Sequence, residues 1–148
     1  MKKPPTLILI ADGAHARLIA HTPRRDTVLL RMNSRKAMKR DSEINSDRPG
    51  RAFDRMGQGR HAMSSQNSAH RTAQVAFARR VTATVEKTLA TTQFDRFVLV
   101  APPRTLGDLR REFSDNTIGL VTGEVRKDLA GLSDKEVVAH VADTEVLI

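Results

Sequence analysis

The 148-residue chain contains no cysteine, no tryptophan and no tyrosine, and its only aromatic side chains are five phenylalanines. Without cysteine there can be no disulfide, no thiolate metal ligand and no cysteine nucleophile, which excludes a disulfide-stapled secreted scaffold. Without tryptophan or tyrosine, a binder of single-stranded nucleic acid built on stacking platforms is a poor fit. Long apolar runs are missing as well. The stretch Leu7 to Ile10 with Ala11 is closed by Asp12 and falls far short of a signal-peptide core or a membrane span. These absences lead us to expect a cytoplasmic chain with no membrane insertion.

What the chain does have is enough apolar material for a core and an excess of positive charge. Hydrophobic residues make up 39% of it, and a chain of this length fits one domain, residues 1–148. Lys and Arg total 25 against 17 acids, a net charge of +8, and the sequence pI is about 10.8. Arginine outnumbers lysine by 18 to 7. A surface so charged attracts polyanions, and arginine's planar fork suits bidentate contact with phosphate.

Three runs rich in Leu, Ile and Val, Thr6–Ala11, Ala16–Thr22 and Thr27–Met32, read as strands of an antiparallel meander. Asp12-Gly13 marks the first turn, where glycine would accept a positive φ, and residues 23–26 mark the second. From Ser34 to Gln66 no period survives, and Pro49-Gly50, Gly57 and Gly59 interrupt the segment. A loop is expected there. It carries eight bases against four acids, half of the chain's net charge, and loops of this length are usually functional or disordered.

Phe77, Val81, Val85 and Leu89 recur every four residues and predict a helix over about 68–91. Phe97-Val98-Leu99-Val100 reads as a central strand covered on both sides. Pro102-Pro103 ends it, with Pro103 able to open a helix carrying Leu106, Leu109 and Phe113, and Asp115-Asn116 closing that helix. A further strand is expected at Ile118–Val121, extending to Glu124-Val125. Ser133-Asp134-Lys135-Glu136 is a capping box for a last helix bearing Val137, Val138 and Val141. The predicted fold class is α/β, an α+β mixed sheet of ribonuclease H-like layout, in which the three-strand meander is followed by αβαβα with a long basic loop at 34–66.

Catalytic chemistry is weakly represented. Asp12 ends the first strand, where ribonuclease H-like nucleases place a metal-binding carboxylate, yet residues 97–101 offer no second acid, so Asp12 reads as a turn residue. His15, His21, His61, His70 and His140 include no i,i+4 pair and no carboxylate cluster to complete a metal site; His61 and His70 stand apart only because they flank the end of the basic segment. Nucleophile-elbow, Walker and dinucleotide fingerprints are all missing. Neither a cofactor nor a metal is expected. The basic segment itself reads either as a solvated loop or as an arm that presents backbone amides and arginine forks to RNA phosphates.

Taken in order, residues 10–18 (Ile-Ala-Asp-Gly-Ala-His-Ala-Arg-Leu), 47–54 (Asp-Arg-Pro-Gly-Arg-Ala-Phe-Asp) and 59–62 (Gly-Arg-His-Ala) resemble the bacterial host attachment protein family. Later segments agree: Phe77-Ala78-Arg79, Leu99 to Arg104, Leu106-Gly107, Leu109-Arg110 and Lys127-Asp128-Leu129. That family in turn resembles the middle domain of archaeo-eukaryotic peptide-chain release factors, which implies the same meander and a long glycine-bearing loop followed by a long helix. In those factors a Gly-Gly-Gln motif on the loop promotes hydrolysis of peptidyl-tRNA. The matching stretch here is Gly57-Gln58-Gly59-Arg60-His61, without the tandem glycine.

Three functions follow as expectations. The first is an intracellular RNA- or ribosome-associated module that uses Arg48, Arg51, Arg55, Arg60 and His61 as contacts and affects attachment indirectly. The second is a ribosome-dependent peptidyl-tRNA hydrolase in which Gln58, with Gly57 and Gly59, orients water. The third is a factor that meets the host surface directly.

Overall fold

A computed structural model describes residues 3–39 and 58–144, with the backbone alone for 58–67. Strands β1 (Thr6–Ala11), β2 (His15–His21) and β3 (Asp26–Asn33) form the expected antiparallel meander. They are followed by α1 (Arg35–Met38), α2 (Gln58–Thr91), β4 (Arg96–Val100), α3 (Pro103–Glu112), α4 (Asp115–Leu120), β5 (Val121–Val125) and α5 (Asp134–Asp143). The five strands make one mixed sheet in the order β3-β2-β1-β4-β5. β4 runs parallel to β1 on one side, pairing Thr6 with Arg96 and Ile10 with Val100, and parallel to β5 on the other. The mixed α/β class expected from the sequence is therefore observed.

Alternation along the strands sends one set of side chains to each face. Leu7, Leu9, Leu18, Phe97 and Leu99 lie on the first face under Phe77, Val81, Val85 and Leu89 of α2 and Leu106 and Leu109 of α3. Ile8, Ile10, Ile19, Val98 and Val100 lie on the second, under Val137, Val138 and Val141 of α5. Covering on both sides is why β1 and β4 read as unbroken apolar runs. Each fully buried side chain of this size contributes about 1.5–3 kcal/mol of transfer free energy. Phe97 also meets the rings of Phe94 and Phe113 edge-on, with centroids 6.4 and 6.1 Å apart.

Three expectations are corrected. The stretch Ile118–Leu120 is not strand. Ser114 caps a short helix there by accepting from the Thr117 amide at 3.2 Å, so Asp115 opens α4 instead of closing α3, and β5 begins only at Val121. The loop does not run from 34 to 66, because Ser34 caps α1 and α2 begins at Gln58, ten residues before the predicted start. Gln58, Arg60, Ala62, Met63 and Gln66 are good helix formers without an apolar period, so propensity extends α2 where periodicity gave no signal. Finally, Gly13 has no positive φ. A Cβ at Gly13 would stand 2.6 Å from Gln74 Nε2, so the glycine admits the side chain of α2.

Candidate functional site

β1, β4 and β5 all point their carboxyl ends the same way, and the chain turns off in opposite directions from β1 and β4. Such a switch point is where open α/β sheets bind ligands. A cleft of about 550 Å³ opens there, lined by the Asp12–His15 turn, Met38 of α1, His70 and Gln74 of α2, Pro102, Arg104 and Thr105 at the start of α3, and Asp128.

The turn on its near side is held by Asp12. One carboxylate oxygen accepts from the Ala14 amide at 2.8 Å and the His15 amide at 2.6 Å, and the His15 ring sits 3.1 Å away. Asp12 is thus a turn residue, as read from the sequence, and its oxygens are engaged locally.

The α2 side is ordered by a chain of polar contacts that starts in the interior. Asp108 of α3 is 4% exposed and accepts both arms of Arg71, Nη1 at 2.6 Å and Nη2 at 2.5 Å. Hydrogen bonding to Asp108 raises the Arg71 pKa above its usual value, so the guanidinium stays charged. Arg71 Nη1 also donates to Gln74 Oε1 at 3.2 Å, which turns the amide nitrogen of Gln74 toward His70 Nε2, 3.3 Å away. The Gln74 amide donates, so His70 Nε2 accepts and the ring proton is carried on Nδ1. Nδ1 is buried and has no partner among the described residues.

The far side is the start of α3. Pro102 occupies the cap position with no side chain to offer, and Pro103 follows at the first helical position. The Leu106 amide is the first to find a helical acceptor, the Pro102 carbonyl at 2.9 Å, which leaves the amides of Arg104 and Thr105 pointing out of the helix end. No acid stands in the first turn. Arg104 is there instead, exposed, at the end where the helix dipole is positive.

The contact and catalytic candidates read from the sequence are placed only in part. Arg48, Arg51, Arg55 and Gly57 fall outside the described residues, while Gln58, Gly59, Arg60 and His61 are placed by backbone alone, in the opening turns of α2. Gln58 and Gly59 therefore belong to a helix and not to a loop tip. Sequence reading missed Gln74 and Thr105 and gave His70 no partner. One signal was available, an arginine in the first turn of a helix that opens on two prolines without a capping side chain.

A family model described as protein required for attachment to host cells matches residues 7–141. No curated protein matches the chain.

Proposed function

Because the chain belongs to the family of proteins required for attachment to host cells, we propose that it serves that process from inside the cell, as an RNA- or ribosome-associated module. The observation that carries this reading is the placement of charge. Eight bases against four acids are concentrated between Ser34 and Gln66, a stretch that includes α1, whose Met38 lines the cleft, and the opening turns of α2, whose His70 lines it too. α2 rises about 1.5 Å per residue, so its Gln58 end lies about 18 Å beyond His70 along the helix. Arg48, Arg51, Arg55, Arg60 and His61 are the contacts in this reading, with arginine forks engaging phosphates without reading bases. The resemblance to the release-factor middle domain belongs to the same reading, and attachment is then an indirect consequence of RNA or ribosome binding.

The test is sedimentation of tagged protein with ribosomes at low and moderate salt, beside a variant with Arg48, Arg51, Arg55 and Arg60 all changed to Ala. Each phosphate neutralised releases counterions, so the wild-type fraction should fall steeply with salt and the variant should lose co-sedimentation. Protein that stays at the top of the gradient in both salts would overturn the reading, and surface fractionation would then test direct contact with the host.

A further inference from the structure

We propose that the cleft between α2 and the start of α3 binds the terminal phosphate group of a small phosphate ester. This inference does not depend on the RNA reading, since it uses none of the residues between 40 and 57. Thr105 is 8% exposed and lines the cleft, yet none of the hydrogen bonds among the described residues uses its hydroxyl. The hydroxyl is not among the sealed polar atoms without a partner, so it is open to the cleft. His70 Nδ1 is a buried atom with no partner among the described residues, and the Asp108–Arg71–Gln74 chain leaves the ring proton on it. Two open amides, those of Arg104 and Thr105, stand at the same helix end.

Arg104 and Thr105 of α3 and His70 of α2 line one cleft. The Thr105 hydroxyl, two backbone amides and the Arg104 guanidinium outnumber what the two oxygens of a planar carboxylate can accept in one plane. A terminal phosphate offers three oxygens in a tetrahedron and carries the negative charge that a helix N-terminus favours. The position of Arg104 has the same sense. In the first turn it opposes the helix dipole, which is a local cost unless an anion sits between them. Asp128, exposed on the same rim, repels ligands with several phosphates, so the chemistry favours one terminal phosphate over a polyphosphate or a nucleic-acid backbone.

The full chain should be titrated at constant ionic strength with inorganic phosphate, with a nucleoside monophosphate and with a dinucleotide whose phosphate is a diester. The readouts are the Arg104 and Thr105 amide resonances and the His70 ring resonances in NMR spectra. Saturable shifts are expected with the first two probes, with dissociation constants on the order of 1 mM or tighter. Thr105→Val keeps the side-chain shape and Arg104→Ala changes an exposed side chain, so both should fold, which their melting temperatures will check. Each should weaken binding by about tenfold, while Arg79→Ala on the outer face of α2 should leave it unchanged. Shifts that do not saturate, or that saturate alike in wild type and Thr105→Val, would overturn the site. A diester bound as tightly as the monoester would overturn its assignment to a terminal phosphate. The variant lacking Arg48, Arg51, Arg55 and Arg60 should still bind phosphate, which separates failure of this site from failure of the RNA reading.

Discussion

α3 and α5 begin in similar places, after neighbouring parallel strands at the same end of the sheet, and their first turns are finished in opposite ways. At α5, Ser133 accepts from the Glu136 amide at 3.2 Å and donates to the Glu136 carboxylate at 2.9 Å. Asp134 beside it is held by Arg17 and Arg31, each at 3.2 Å, and Arg17 also donates to the Leu132 carbonyl at 2.6 Å. At α3, two prolines without a capping side chain are followed by Arg104, exposed and with no acid in the first turn. The positive end of α5 is neutralised by the protein's own groups and holds the helix to the sheet. The positive end of α3 is left to something else. Helix termini in one domain can thus be divided between holding the fold and presenting donors, and the capping residues tell the two apart.

The comparison breaks most visibly at Asp134. Asp134→Ala strips α5 of its first acid and leaves Arg17, whose side chain is only 12% exposed, without its carboxylate partner. Losing one member of a buried pair costs about 3–5 kcal/mol; with Asp134 itself 31% exposed, a loss of about 2 kcal/mol is expected in urea unfolding at neutral pH. Ser133→Ala removes the cap alone and should cost about 1 kcal/mol by the same measurement. The α3 end should respond with the opposite sign. Arg104→Glu places an acid where the dipole favours one, so stability should rise by about 0.5 kcal/mol at low salt while phosphate binding is lost. A destabilised Arg104→Glu protein would mean that the start of α3 is finished by contacts of its own.

The smallest effect concerns α4, an intermediate case. Its cap residue Ser114 donates its backbone N–H to the Glu86 carboxylate at 2.8 Å, and that hydrogen bond is the main reason the Glu86 pKa is lowered. A depressed carboxylate pKa contributes stability that is present above the unfolded value, about 4.3, and is lost as pH falls through the folded one. Glu86→Gln should flatten that acid limb by a few tenths of a kcal/mol, about 0.3, as expected for a partly exposed group. An unchanged limb in urea titrations between pH 3 and pH 5 would show that the hydrogen bond carries no net stability.

Much of the fold is legible in the sequence because its signals are local. The run Thr6–Ala11, the proline that opens α3 and the Ser133 capping box each announce their element within a few residues, and the structure places them as expected. Ile118–Leu120, the second half of α4, reads as strand because six residues are too few to show a helical period and Ile118 and Leu120 run into the strand composition of Val121. The start of α2 was missed because residues 58–67 have helix-forming side chains without an apolar face. The family was legible in motifs spread along nearly the whole chain, and the match over residues 7–141 bears that out.

The cleft was not legible, for a different physical reason. Its groups stand at 12–15, 70–74 and 104–105 and meet only because β1 pairs with β4 while α2 packs across both. The role of Gly13 shows the same limit. Read alone, Asp-Gly suggests a turn that needs positive φ; beside Gln74, the glycine is an opening for a side chain sixty-one residues away.

The parallel pairing of β1 with β4 also governs the order in which the protein can assemble. The meander joins strands that are neighbours along the chain and can zip early, whereas setting Thr6 beside Arg96 closes about ninety residues at once. Closure entropy grows only with the logarithm of loop length, about 0.6 kcal/mol for each doubling, so that step is slow without being sensitive to a few residues more or less. The stretch between β3 and α2 lies inside this closed segment. Insertions there should leave equilibrium stability nearly untouched and appear mainly as slower refolding, so the length of the basic segment is free to vary under a constant sheet.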